Sequence, residues 1–269
     1  MSKYKLIVFD LDDTLLDKQK RIDLKVLTTI QRMRNKGFLI SSISGRNHSM
    51  MDLYNKQMHI DSFASCNGSL IYINNNLAFE SKISSETIND LYYLCHRYNL
   101  YFCLFGIFDG YYCREVPCIN NARNYNGLAQ SFARQIDIKY DEQYCDSNIY
   151  KFMIYIDKRK ASIEKMFEEI NRIDDLSVSI AGGYIEITNS DANKGNALKR
   201  IGKELKVKRN EIVYFGDSLS DYSALEYADY SVCMKSSPDE LKGLAKDVAV
   251  DNKDINRILL NIERGQEWK

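Results

Sequence analysis

Leu6-Ile7-Val8-Phe9-Asp10-Leu11-Asp12-Asp13-Thr14-Leu15 is the stretch on which the fold turns. Its first half is a short unbroken apolar run, and residues 4–9 read as a buried parallel strand. Three carboxylates then fall within four positions, where that strand should end. Carboxylates placed there repel one another and lose hydration, so folding alone gives no reason for them. A divalent cation with a phosphoryl group would relieve the repulsion. An ordinary acidic turn after a strand is the competing reading, and the stretch taken alone does not separate the two.

Working outward, Ile22, Val26, Leu27, Ile30 and Met33 recur at helical spacing, and Gly37 fits the stop of that helix. Phe38 to Ile43 is the next strand and ends in Ser44-Gly45-Arg46. Strand, helix and strand make a βαβ unit, and ligands in such sheets collect beyond the carboxyl ends of the strands. Met50 to Lys56 reads as helical. Asn67-Gly68, between the apolar runs 63–66 and 70–73, is a hairpin signal, and Asn74-Asn75-Asn76 is a further turn.

The pattern changes near residue 83. A helix opens at Ser84-Ser85-Glu86 and runs through Tyr98, followed by strands at 100–106 and 111–114. A helix near 119–133, a strand over 149–156, a helix over 160–173 and strands at 176–181 and 184–188 follow. This mixture breaks the βαβ rhythm and reads as an inserted α+β domain. The rhythm resumes with a helix from Lys194-Gly195 through Leu205. A buried strand at 212–215 ends in Gly216-Asp217-Ser218-Leu219-Ser220-Asp221. Beyond it lie a helix to about Ala228, a strand at 230–234, a helix at 241–245, a short strand at 248–250 and a helix at 255–262.

Polar groups therefore stand at successive strand ends or helix starts: Asp10 and Asp12, then Ser44, then Lys194, then Asp217 and Asp221. Each has a plain reading by itself. Ser44 could cap a helix, Lys194 could be solvated, and Asp217 and Asp221 could be capping and surface acids. Their joint occurrence is what points to a site. The set resembles the haloacid dehalogenase superfamily of phosphohydrolases, with its Asp-x-Asp strand end, Ser/Thr, Lys and acidic Gly-Asp-x-x-x-Asp loop. The resemblance spans nearly the whole chain. Asn67-Gly68-Ser69-Leu70-Ile71-Tyr72 and Gly183-Tyr184-Ile185-Glu186-Ile187-Thr188 are similar to its Cof-type branch, which carries a class IIB cap.

The resemblance implies an α/β fold: a Rossmann-like parallel-sheet core from residues 1–82 and 189–269, with a substrate-specificity cap from 83–188. It implies a Mg2+-dependent phosphatase of the cytoplasm, hydrolysing a small phosphorylated metabolite such as a sugar phosphate through an aspartyl-phosphate. Asp10 would be the nucleophile and Asp12 the acid and base. Ser44, amides near Gly45 and Lys194 would hold the phosphoryl oxygens. The cation would be held by Asp10, the Asp12 carbonyl and Asp217, with Asp221 in an outer shell or as a further contact. Arg46 either reaches substrate or pairs at the helix start. Asn67 either contacts substrate or only makes the turn. Asp13 is a bystander by the family pattern.

The chain departs from the branch in three places. Ser220 stands where an Asn that helps bind the phosphoryl group is usual, Met234-Lys235-Ser236 replaces Met-Gly-Asn, and Asp254-Ile255 replaces Asp-Gly. These departures motivate a rival reading, a non-catalytic phosphometabolite-binding or regulatory protein. A phosphotransferase or mutase on the same scaffold is the other alternative. Specificity is expected in the cap, for example at the loops around Asp109-Gly110 and Gly182-Gly183.

Composition narrows the rest. Lys plus Arg (37) balance Asp plus Glu (37), so there is no basic field for nucleic acid. No apolar run is long enough for a membrane helix, and no obligate protein partner is evident. The cysteines are odd in number and form no CxxC, which fits reduced thiols. A zinc site from Cys113 and Cys118 lacks a second pair of ligands. His48, His59 and His96 share no metal spacing and read as structural.

Overall fold

A computed structural model of the chain describes residues 2–100, 102–107, 110–112, 133–135, 148–156, 160–181 and 183–265. Its larger sheet has eight strands among the described residues. In spatial order they are β14 (Asp247–Ala249), β13 (Tyr230–Met234), β12 (Ile212–Gly216), β1 (Leu6–Phe9), β2 (Leu39–Ile43), β3 (Ser62–Ser65), β4 (Leu70–Ile73) and β5 (Asn76–Glu80). Strands β14 through β3 run parallel, while β4 and β5 append an antiparallel edge. The fold is α/β with a Rossmann-like core. The chain leaves β1 toward β2 on one side and returns to β12 on the other. The carboxyl ends of β1 and β12 thus flank the crevice where strand order reverses.

The apolar run of β1 is buried on both faces because helices cover both. Ile7 and Phe9 pack with Val26, Ile30 and Met33 of α1 (Leu24–Asn35) and with Ile258 and Ile262 of α8 (Ile255–Arg264). Leu6 and Val8 pack with Leu198 and Ile201 of α5 (Lys194–Glu204), Leu225 of α6 (Tyr222–Tyr227) and Leu241 of α7 (Asp239–Leu244). Period-2 alternation in the strand meets helical spacing in the covering layers, which is why this run specifies the middle of a three-layer sandwich. Asp23 caps α1 by accepting from Lys25 N at 2.9 Å, and Gly37 leaves that helix at φ +92°.

A second sheet, β10 (Leu176–Ala181), β11 (Tyr184–Asn189), β9 (Lys151–Tyr155), β6 (Phe102–Phe105), β7 (Gly110–Tyr112) and β8 (Ala133–Gln135), is antiparallel except for the β7–β8 pair. One face carries Phe102, Leu104, Phe152, Ile154, Ile185 and Ile187. These pack with Leu91 and Leu94 of α3 (Ser85–Arg97) and Met166 and Ile170 of α4 (Lys160–Ile170). Alternation puts Lys151 and Met153 of β9, and Glu186 of β11, on the opposite face. At that face Cys103, Phe105 and Tyr150 pack with Cys66 and Leu70 from the larger sheet.

Two expectations need adjustment. Asn74 and Asn75 make the expected turn at φ +49° and +65°, but Asn76 begins β5, a largely exposed strand whose composition gave no signal; pairing with β4 alone defines it. Ser44 is not a helix cap. The cap of α2 (His48–Met58) is Asn47, whose side chain accepts from Met50 N at 3.2 Å. The helix expected near 119–133, the Cys113–Cys118 pair, and residues Asp109 and Gly182 lie outside the described residues, save that Ala133 opens β8.

Candidate active site

Asp10 leaves β1 with extended backbone (φ −70°, ψ 158°), and its N–H continues the sheet ladder to Phe215 O at 2.8 Å. The strand register therefore carries its side chain into the crevice beside the end of β12. Lys194, the first residue of α5, reaches the same point. Its Nζ lies 2.8 Å from Asp10 Oδ1 and 2.7 Å from Asp221 Oδ1. Asn193 sets the entry of that helix by accepting from Asn196 N. Gly195 lets it dock closely, since a Cβ there would sit 2.7 Å from both Cβ and O of Ser223.

Asp221 is fully buried and ties the loop after β12 together. One carboxylate oxygen accepts from Lys194 and from Tyr214 Oη at 2.6 Å. The other accepts from the N–H groups of Asp217 and Ser218 and from Ser218 Oγ. Burial opposes its ionisation, but Lys194 and these hydrogen bonds outweigh burial and hold the carboxyl below the usual range. Gly216 makes room for this fold-back, as a Cβ there would stand 2.6 Å from Asp221 Cγ. Asp217 is held by Thr14 Oγ1, which donates to its Oδ1 at 2.8 Å. Ser220 Oγ shares a hydrogen bond with Ser218 Oγ at 2.9 Å.

Asp10, Asp217 and Asp221 offer one oxygen each within 4.8 Å of one another. Burial is the largest influence on Asp10 and raises its carboxyl well above the ordinary range; Lys194 pulls it down, and the charges of Asp221 and Asp217 push it up again. Burial, then the Asp221 charge, pushes Asp217 up to about 6. Three acids face one lysine, an excess of negative charge that a hard divalent cation with oxygen ligands would neutralise. The donor set fits such an ion.

Asp12 lies outside this triad. Its carboxylate takes a two-pronged contact from Arg46, Nε at 2.6 Å and Nη2 at 2.7 Å, and a third from Lys20 Nζ at 2.7 Å. Burial is outweighed by Arg46 and then Lys20, so the carboxyl sits far below its ordinary value. Of the two roles open to Arg46, the structure shows the ion pair, with the partner at the end of β1 rather than on its own helix. Ser44 Oγ accepts from Arg46 N at 3.2 Å, and Ser44 N donates to Ala64 O. Gly45 N–H makes no hydrogen bond among the described residues.

The second sheet supplies the remaining wall. Lys151 Nζ donates to Gly45 O at 2.5 Å and to Glu186 Oε1 at 3.0 Å, and Asn67 Nδ2 donates to Glu186 Oε2 at 2.8 Å. Thus Ser44, Gly45 and Arg46 form one loop, Asn67 and Gly45 meet strands of the second sheet, and Asp10, Lys194, Asp217 and Asp221 form one cluster. The sequence reading missed Thr14, Lys20, Tyr214, Lys151 and Glu186. A signal existed for Glu186, a charge set in the apolar alternation Ile185-Glu186-Ile187, and for Lys151, which opens a buried strand.

A buried Asp at the end of the first strand, a lysine from a later helix head and a second acidic strand end define a phosphoryl-transfer class of hydrolase. Comparison with known proteins agrees. Residues 7–260 match the family of haloacid dehalogenase-like hydrolases. The chain belongs to that family and is an enzyme of its phosphatase type. It is 26% identical to phosphatase YwpJ of Bacillus subtilis, over 92% of this chain and 95% of that protein. It is 23% identical to the same organism's 5-amino-6-(5-phospho-D-ribitylamino)uracil phosphatase YitU, over 93% of each. A solved haloacid dehalogenase-like hydrolase from B. subtilis superposes with a TM-score of 0.81 at 24% identity, covering 96% of this chain and 99% of that one. Another from Bacteroides thetaiotaomicron superposes with a TM-score of 0.80 at 20% identity, covering 97% and 99%. No helix of the described residues is long and apolar enough to cross a membrane.

Proposed function

We propose that the chain is a Mg2+-dependent phosphatase acting on a small phosphorylated metabolite, a sugar phosphate or similar, with residues 83–188 acting as the substrate-specificity cap over a core from 1–82 and 189–269. The observation that carries this is the placement of Asp10 Oδ1 2.8 Å from Lys194 Nζ, beside the Asp217 and Asp221 carboxylates. Asp10 is the nucleophile. Its free oxygen attacks phosphorus as the ester P–O bond breaks, leaving an aspartyl-phosphate and an alkoxide. Asp12 protonates that alkoxide, then takes a proton from the water that cleaves the aspartyl-phosphate, releasing inorganic phosphate and restoring Asp10.

Arg46 and Lys20 hold Asp12 ionised in this structure, the form suited to the second step; the first requires Asp12 to exchange that clamp for a proton. Lys194, Ser44 and the Gly45 amide hold phosphoryl oxygens, and Ser220 supports the loop that presents Asp217. Asp10, the Asp12 carbonyl and Asp217, with Asp221 behind, would hold the cation, which would offset the charge of the phosphate dianion. Cys66 and Cys233 are buried thiols outside any disulfide among the described residues, which supports a cytoplasmic setting. Asp10→Asn tests the assignment. It abolishes phosphate release from p-nitrophenyl phosphate with Mg2+ present, and full retained activity sinks the assignment.

A further inference from the structure

Between the core loop and the second sheet lies a small polar group that the chemistry above does not use. Lys151 and Glu186 are brought to one face by strand alternation, and Phe105, opposite Lys151 in the register, lies under its ammonium at 4.7 Å. Their side chains are 5% and 13% exposed, so this ion pair is not a solvated surface contact. Burial is outweighed by the pairing, and each stays in its charged form.

Asn67 completes the group and leaves one atom unaccounted for. Its Nδ2 donates to Glu186, but its Oδ1 is buried without a hydrogen-bond partner. Turning the amide over would not help, because Oδ1 would then face a carboxylate oxygen. The orphaned acceptor lies against Gly45: a Cβ at Gly45 would stand 3.1 Å from Asn67 Oδ1 and 3.1 Å from Glu186 Oε2. Glycine at position 45 thus leaves a gap narrower than a methyl group needs, edged by two acceptor oxygens, next to the loop that carries Ser44. A buried unsatisfied acceptor is costly, and the group that satisfies it must be a donor.

We propose that Asn67, Glu186 and Lys151 form a recognition subsite for the leaving group, and that it takes an organic moiety carrying a hydroxyl close to the ester oxygen. The hydroxyl donates to Asn67 Oδ1 or Glu186, while Lys151 keeps Glu186 ionised. This rests on the phosphatase reading, because the subsite adjoins Gly45 only as the place where a phosphoryl oxygen is held. It assigns selectivity to charged strand residues of the insert rather than to its loops. An ester without hydroxyls leaves the acceptors unpaired and is discriminated against, as sites built to bond a substrate hydroxyl reject its deoxy analogue.

The experiment separates the subsite from the reaction. Binding of glycerol phosphate and of phenyl phosphate to Asp10→Asn with Mg2+ is measured by calorimetry, then repeated with Glu186→Gln or Asn67→Ser added. The expected result is a preference for glycerol phosphate that falls roughly ten- to hundred-fold with either addition, the scale of one charge-assisted hydrogen bond. Asn67→Ser leaves the Lys151–Glu186 pair in place and carries the comparison even where Glu186→Gln destabilises the chain. Equal weakening of both ligands, or no preference in Asp10→Asn, overturns the proposal. Hydrolysis by the unsubstituted chain tests the parent reading independently: no turnover alongside an intact hydroxyl preference sinks the phosphatase reading and the leaving-group role with it, whereas turnover without a hydroxyl preference sinks the subsite alone.

Discussion

This molecule holds two buried ion networks, and they differ in charge balance. At the strand ends of the larger sheet, three carboxylates cluster beside one ammonium that contacts two of them. Where the second sheet meets the core, one carboxylate and one ammonium pair off, and an amide and a backbone carbonyl complete them. The first network has an unmet need for positive charge and holds two of its acids above their ordinary range. The second is electrically closed and lacks only a hydrogen-bond donor at one atom. An unbalanced network is suited to receive a cation and a phosphoryl group. A balanced one is suited to read the shape and polarity of what the phosphoryl group is attached to.

Removing the lysine from each network is the most severe way to break this contrast. Lys194→Met leaves Asp10 and Asp221 buried without their counter-charge. We expect a loss of about 3–5 kcal/mol in chemical denaturation and roughly a 10²–10³-fold fall in kcat. Lys151→Met strands a single, slightly exposed carboxylate that keeps Asn67 as a donor. Its stability loss is expected to be smaller, and equal losses in urea titrations of the two variants would erase the distinction drawn here.

Metal addition probes the unbalanced network alone. Mg2+ at a hundredfold over its dissociation constant should stabilise the chain by about 2.7 kcal/mol. Asp217→Asn should lose most of that gain, whereas Glu186→Gln should keep it. A thermal shift in which both variants respond alike would place the ion elsewhere.

A paired glycine test is finer. Gly216→Ala drives a methyl to 2.6 Å from Asp221 Cγ, in a carboxylate pinned by five hydrogen bonds. Overpacking of about 1–3 kcal/mol should result. Gly45→Ala meets only side-chain oxygens at 3.1 Å, which can give way, so its cost in stability should be lower. Differential scanning calorimetry of the two variants checks the order.

The smallest effect lies outside both networks and calibrates them. Arg32 of α1 and Lys36 just beyond it hold the Glu263 carboxyl at about 2 on α8, chiefly through the Arg32 hydrogen bond. The folded value is below the unfolded one of about 4.3. The contribution is therefore complete above about pH 4.3 and lost as pH falls toward 2. Because Arg32 is largely solvated, Arg32→Ala should cost about 1 kcal/mol or less at pH 7 and nothing near pH 2, read from urea midpoints at both values.

Much of the core was legible because its signals are local. The run Leu6 to Phe9 is apolar on consecutive positions, and only a strand covered on both faces uses such a run. Gly37 marks a helix end by chemistry that acts within four residues. Strand β5 was not legible, because Asn76 to Glu80 is an exposed edge held only by its neighbour. Within the candidate site, Asp10, Lys194, Asp217 and Asp221 stood out because their types recur at successive element ends. The Arg46–Asp12 clamp joins positions 34 apart, and the Asn67–Glu186 bond joins positions 119 apart, so neither has a spacing to detect.

The sequence by itself determined a three-layer α/β core with acids at its strand ends and an inserted α+β region, since periodicity and helix-end chemistry are properties of neighbouring residues. Which acids come together was decided only by the tertiary structure. It tied Asp12 to Arg46, sealed Asp221 beneath Tyr214 and brought Lys151 and Glu186 to Gly45. Electrostatic coupling depends on distance in space and on exclusion of water, and the folded chain alone sets both.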